Sequence, residues 1–165
     1  MPVQLIPAFC KGPELLHQIL QAKENASPDQ FDIWWLGFLI QWDGFTLLFD
    51  PYLSDSLTRK YADTQKPHVR MSELAIDPSL LKSIDIVTSS HNHTDHLDAE
   101  TLIPLLRNNS GIVFIIPEAN RAFVSERVKC DYDFPLGLND GVSRVVKGFT
   151  FHGVPAAHNT IDRDE

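Results

Sequence analysis

The stretch Ile84-Asp85-Ile86-Val87-Thr88-Ser89-Ser90-His91-Asn92-His93-Thr94-Asp95-His96-Leu97-Asp98 decides how this chain is read. Ile84 to Thr88 is rich in β-branched residues, which predicts a short buried strand. A polar loop follows directly. Asp98 then stands where a helix N-cap belongs, and Ala99 to Arg107 is expected to be the helix. In helix-covered sheets, sites gather where strand ends meet such loops.

The loop carries His91, His93, Asp95 and His96 as an H-x-H-x-D-H string, with three of the chain's seven histidines. From the chain's own composition, chance supplies such a string in roughly one in a thousand sequences of this length. Imidazole and carboxylate are good ligands for zinc, manganese or iron. Alternate residues of an extended loop face the same way, so His91 and His93 are expected to grip one ion and Asp95 and His96 a second. Two ions about 3.5–4 Å apart can generate a nucleophile from water and steady developing charge. The ordinary alternative is a solvated loop. Three protonated neighbours would repel one another, and a metal removes that cost.

The flanking chain reads as alternating strands and helices. Pro13 to Lys23 is expected to be a helix with Leu15, Leu16, Ile19 and Leu20 as its apolar stripe. Phe31 to Gln41 reads as one strand, Asp43-Gly44 as a hairpin turn, and Phe45 to Phe49 as the return strand, stopped by Asp50-Pro51. Residues 52 to about 75 read as a long polar loop, and Ser79 to Leu81 as one helical turn. Beyond the Ala99–Arg107 helix, whose core stripe is Leu102, Leu105 and Leu106, Gly111 to Ile116 is a second buried strand. Pro117 is expected to open a helix over Glu118 to Val124, and Val142 to Val154 to hold one or two strands. The class is therefore α/β or α+β. Trp34, Trp35 and Trp42 are expected to pack or flank the hairpin.

Composition bounds the function. The 165 residues suffice for one domain, and 43% hydrophobic with 22% charged residues is the composition of a soluble globular protein. Fourteen Lys and Arg against 22 Asp and Glu leave a net charge of −8, which argues against a nucleic-acid binder and a polybasic membrane-surface protein. The longest nearly unbroken apolar run, Ile33 to Ile40, is too short to span a bilayer, so no membrane insertion is expected. The start MPVQLIPAFCKGPELL does not read as a secretory signal. Cys10 and Cys130 stand far apart with no C-x-x-C, so a reducing cytoplasm is the expected location and neither is a good nucleophile. Phosphate-loop, dinucleotide and serine-elbow patterns have no match.

HNHTDH after a strand ending IVTSS, together with WWLGFLI and DGFTLLFDPYLSDS, resembles the metallo-β-lactamase superfamily of metal-dependent hydrolases. It is similar to the branch that includes the L-ascorbate-6-phosphate lactonases and, more distantly, the phospholipases D that cleave N-acyl phosphatidylethanolamine. The resemblance runs from about Ile33 to His158. It implies an αββα sandwich with metals at one edge, represented here by its N-terminal half to two-thirds. It implies that His91, His93 and His158 hold a first metal, and Asp95 and His96 a second. Asp95 would also be catalytic, by orienting the nucleophile. Asp50 would support the metal histidines from behind, fixing a ring tautomer.

The cofactors implied are two divalent metal ions, with zinc first and manganese or iron as alternatives. The family also has a later bridging aspartate and a further histidine. Here no histidine follows His158, and Asp162 and Asp164 are the only later aspartates. A single domain over 1–165, incomplete at its C-terminus, is the expectation. A further departure is that Gly37 runs straight into Phe38, where the branch has a few more residues.

Residues 56–71 hold Arg59, Lys60, Lys66 and Arg70 against Asp63, a local positive patch. Arg59, Lys60 and Arg70 are the candidates for holding a substrate phosphate or carboxylate. His152 is expected at the surface or in packing, and His17 and His68 away from the site. The expected function is hydrolysis of an ester, lactone or phosphodiester in a small-molecule substrate, phosphorylated in one version, with room for a homo-oligomer. The alternative is a truncated metal-binding half-domain without catalysis, serving as an interaction or structural subunit. A nuclease conflicts with the acidic charge.

Overall fold

The computed structural model describes residues 4–25, 31–34 and 37–155, with 31–34 as backbone. Helix α1 covers Gly12–Asn25. Strands β1 (Phe31–Trp34), β2 (Gly37–Trp42) and β3 (Phe45–Phe49) form an antiparallel meander, and β4 (Ile86–Thr88), β5 (Val113–Pro117) and β6 (Leu136–Leu138) extend it in parallel. Helix α2 is Ser56–Lys60, α3 is Ala99–Asn108 and α4 is Arg121–Val128. A separate hairpin pairs β7 (Ser143–Val146) with β8 (Phe149–His152).

The fold class is thus mixed α/β, and the two faces of one sheet explain it. Leu48, Val87, Phe114 and Ile116 point to the helical side, where Leu15 and Ile19 of α1, Leu102 and Leu105 of α3, and Val124 and Val128 of α4 close the main core. Leu47, Ile86 and Ile115 point the other way and are covered by Val146, Phe149 and Phe151 of the β7–β8 hairpin. Strands buried on both faces read as apolar runs, as GIVFII does, and as Ile86-Val87 does in the shorter β4. Leu20 falls outside the α1 stripe and is exposed, whereas Leu106 packs against the core.

Four elements differ from the sequence reading. Phe31 to Gln41 is two strands, with Trp34 opposite Gly37. Gly37 has φ 151°, and a Cβ there would meet the Phe49 carbonyl oxygen at 2.5 Å, so only glycine brings β2 this close to β3. The 52–75 segment is not all loop. Tyr52, 1% exposed, accepts the Leu57 backbone N–H on its hydroxyl at 2.9 Å and anchors α2. The helix expected over Glu118 to Val124 starts with a 3-10 turn and continues as α4 to Val128. Strand β6 was not foreseen. Arg121 secures it by forking onto Glu118 at 2.6 and 2.8 Å and donating to the Tyr132 and Pro135 carbonyls at 2.8 and 2.9 Å. The Asp43-Gly44 turn forms as expected, with φ 49° and 77°.

The parallel contact between β3 and β4 positions the loop that follows. Asn109 sets the height of β4 at the far end. It accepts the Ile84 N–H at 2.9 Å and donates to the Leu81 and Leu105 carbonyls at 2.7 and 2.8 Å. Asp85 accepts the Thr46 N–H at 2.9 Å and the Lys23 ammonium at 2.6 Å, with Lys147 at 3.5 Å. Burial pushes the Asp85 carboxyl up, but Lys23, the Thr46 N–H and Lys147 outweigh it and hold it below the usual carboxylate range.

A depressed folded-state pKa gives stability that is full above the unfolded carboxyl value, about 3.9, and is lost as pH falls through the folded value. Asp85→Asn is expected to cost roughly 1–3 kcal/mol at pH 7. Urea unfolding from pH 7 downward should show the gap to wild type narrowing only below about pH 4. A gap that is constant with pH would show the carboxylate charge to be irrelevant.

Candidate metal centre

Thr88 ends β4, and residues 89–97 turn back beyond the C-terminal end of that strand before α3 begins. The loop is not extended. His96 and Leu97 both donate backbone N–H groups to the His93 carbonyl, at 3.0 and 2.7 Å, so the chain folds over itself within the histidine string. The loop therefore lacks the extended geometry from which alternate side chains were expected to face the same way. The His91 ring lies 4.6 Å from that of His93 and 4.1 Å from that of His96, between the two.

Asp50 closes β3 in a left-handed conformation, φ 39°, and its carboxylate is the hub behind this cluster. It accepts the Thr88 hydroxyl at 2.7 Å, the Ser90 N–H at 3.0 Å and the Ser90 hydroxyl. His96 Nδ1 lies 2.7 Å from Asp50 Oδ2, so that nitrogen carries the proton and donates. Nε2 is then the free donor atom of His96, and Asp95 Oδ2 stands 3.5 Å from it. Partial burial and the neighbouring His96 and His93 rings push the His91 pKa below the usual imidazole range, against the pull of Asp95 and Asp50. This direction favours the neutral ring, the state in which imidazole binds a metal.

Three imidazoles and a carboxylate, with one ring oriented by a second carboxylate, form a donor set that fits a divalent ion in its chemistry. As the side chains stand, no group of three or more His, Cys, Asp or Glu among the described residues is arranged to hold one. His158 lies outside the described residues, as do Asp162 and Asp164. Asp98 sits at the N-cap position of α3, but its carboxylate takes the hydroxyls of Ser56 and Thr101, at 2.8 and 2.5 Å, rather than a backbone N–H.

The three basic candidates have different fates. Arg59 pairs with Glu100, on the α3 side. Arg70 pairs with Asp55 at 2.5 Å and lies over the Tyr52 ring. Lys60 alone reaches the histidine loop, donating to Thr94 Oγ1 at 3.3 Å. There it meets Arg127 of α4, which donates to the same oxygen at 2.6 Å and which sequence reading did not single out. Nothing in the local pattern around Arg127 marks it; only the α4 packing brings it to the loop. His17 is exposed on α1, His68 meets Thr58 at 3.1 Å, and His152 is exposed on β8, 2.7 Å from Ser143 Oγ.

Residues 32–165 match the model of the β-lactamase superfamily domain. The chain belongs to the metallo-β-lactamase superfamily, in the branch of the ascorbate-6-phosphate lactonases. It is 25% identical over 105 residues to the protein named Probable L-ascorbate-6-phosphate lactonase UlaG of Escherichia coli, covering 52% of this chain and 30% of the relative. It is 30% identical over 130 residues to the mitochondrial N-acyl-phosphatidylethanolamine-hydrolyzing phospholipase D of Saccharomyces cerevisiae, covering 76% of this chain and 26% of that protein. Among solved structures, a CmlA beta-hydroxylase variant superposes with TM-score 0.45 at 20% identity, over 72% of this chain and 22% of that one. The chain thus matches less than a third of the length of these curated relatives. Among the described residues no helix is long and apolar enough to cross a membrane.

Asp50→Ala is expected to lower stability by roughly 1–3 kcal/mol, since it strands hydroxyl, amide and imidazole donors. Long-range nitrogen–proton NMR should find His96 in the Nδ1–H tautomer in the wild type and mixed in the variant. A wild-type ring protonated on Nε2 would contradict the Asp50 contact.

Proposed function

We propose that the chain carries the metal-binding core of a hydrolase that directs water at an ester, lactone or phosphodiester bond. One observation carries this reading: three histidine rings gathered at the end of β4, with Asp50 fixing the tautomer of His96. The relatives' names describe a lactonase and a phospholipase D, and in both reactions water attacks an electrophilic carbonyl or phosphoryl centre. His91, His93 and His158 are the proposed donors to one ion, and Asp95 and His96 to another. Zinc suits the histidine-rich set first, and manganese and iron accept the same ligands.

When bound, such ions acidify water and polarise the bond under attack. The chain's own residues do the rest. Asp50 directs the Nε2 lone pair of His96 outward and raises its basicity. The neutral state of His91 supplies a donor that needs no deprotonation. Asp95, beside His96 Nε2, orients the attacking water and accepts its hydrogen bond. The substrate is a small molecule, with a phosphate in the version that follows the lactonase relative, and the location is cytoplasmic.

A second reading is a metal-binding half-domain without catalysis, favoured by the chain's matching less than a third of the curated relatives' length. Plasma mass spectrometry of the purified chain is expected to find about two equivalents of metal, lost when His91 and His93 are both changed to alanine. Hydrolysis of bis-p-nitrophenyl phosphate should require that metal and disappear in His93→Ala. Metal bound without turnover of a phosphodiester or a sugar lactone would favour the half-domain, and no bound metal would overturn both.

A further inference from the structure

Beside the histidine loop lies a cleft of about 440 Å³ whose lining includes Lys60, Tyr61, His93, Thr94, Asp95 and Arg127. Thr94 is buried, yet its hydroxyl oxygen receives two cationic donors, Arg127 Nη2 at 2.6 Å and Lys60 Nζ at 3.3 Å. Arg127 also donates to the Asn92 carbonyl at 3.4 Å, and its guanidinium stands 5.5 Å over the Phe123 ring. Lys60 stands 5.1 Å over the ring of Tyr61. These contacts fix both heads at the cleft wall.

Neither cation meets a carboxylate within 4.0 Å among the described residues, whereas Arg59, Arg70 and Arg121 each hold one. In a chain of net charge −8, two like charges converge on one neutral hydroxyl. The pair concentrates positive charge at the cleft wall, and an anion placed between them would be attracted by both. We infer that Lys60 and Arg127, with the Thr94 hydroxyl, form a subsite for a phosphate group. A phosphate carries about −1.5 to −2 at neutral pH and balances both cations, where a carboxylate balances one. Guanidinium supplies a planar fork and ammonium a point charge, a combination suited to tetrahedral oxyanions.

Asp95 lines the same cleft, so the phosphate is held on the Lys60–Arg127 wall and the rest of the ligand extends over His93 and Asp95. That role rests on the hydrolase reading; the phosphate binding does not. It also distinguishes Lys60 from Arg59 and Arg70, which already hold Glu100 and Asp55.

The probe is inorganic phosphate, titrated by calorimetry into the chain after EDTA treatment, so that adventitious metal cannot hold the anion. Saturable binding is expected in the wild type. Lys60→Gln and Arg127→Gln should each weaken it about tenfold or more. Arg127→Lys should fall between, since it keeps the charge and loses the fork. Arg144→Gln removes one cation on β7 and should leave binding unchanged. Circular dichroism reports whether each variant folds, and Lys60→Gln decides if Arg127→Gln does not. Absence of saturable binding in the wild type, or equal weakening by Arg144→Gln, overturns the subsite. Phosphate binding that persists in a chain with no metal-dependent turnover would instead overturn the hydrolase reading and leave the subsite standing.

Discussion

Two carboxylates set the register of β3 against β4, and the rest of the molecule depends on that register. A parallel pair has no connecting turn to align it, and this one is short, with Leu47 opposite Ile86 and Leu48 opposite Val87. Asp85 grips the Thr46 N–H below the pair, while its own N–H donates to the Thr46 carbonyl at 2.9 Å. Asp50 grips the Thr88 hydroxyl above it, and that hydroxyl's oxygen accepts the Asp50 N–H at 3.1 Å. A slip of one residue would send Leu47 to the helices and Leu48 to the β7–β8 hairpin, exchanging the two cores. The same Asp50 carboxylate that fixes the strands also fixes His96, so sheet alignment and site geometry are one constraint.

Electrostatics divides the surface in the same economical way. In an acidic chain, the cations around the sheet are mostly taken up by carboxylates that hold secondary structure together: Lys23 with Asp85, Arg121 with Glu118, Arg70 with Asp55. Around residues 91–96 the pattern reverses. Asp50 and Asp95 attend to imidazole, and Lys60 and Arg127 are left to a hydroxyl. Asp50 serves both the fold and the site, whereas Lys60 and Arg127 face the cleft and hold no carboxylate within 4.0 Å among the described residues.

Much of this was legible in the residues because it is local. The H-x-H-x-D-H string, the Asp43-Gly44 turn, and the runs IDIVT and GIVFII carry their own signals of period and turn chemistry. The burial of β4 and β5 was legible as short strands rich in apolar residues, whereas the covering of the second face by the β7–β8 hairpin was not. What escaped depends on contacts remote in sequence. Gly37 opens β2 against the Phe49 carbonyl, and Arg121 holds the chain ahead of β6. The inward fold of the histidine loop comes from the His93 carbonyl accepting two N–H groups, and Arg127 reaches Thr94 from a different helix. The Asp50 contact to His96 joins residues 46 apart; the family resemblance pointed to Asp50, while spacing along the chain alone did not.

Asp85 also has a consequence for the order of assembly. Lys23 lies 62 residues before it and Lys147 62 residues after it. Chains are made from the N-terminus, so the Lys23–Asp85 pair and the β3–β4 register can close while the β7–β8 hairpin is still unmade. The carboxylate then waits with one oxygen turned to where Lys147 will arrive. The second face of the sheet, Leu47, Ile86 and Ile115, stays bare through that interval. The nascent chain is therefore most prone to self-association after β5 has emerged and before Phe149 and Phe151 have been added.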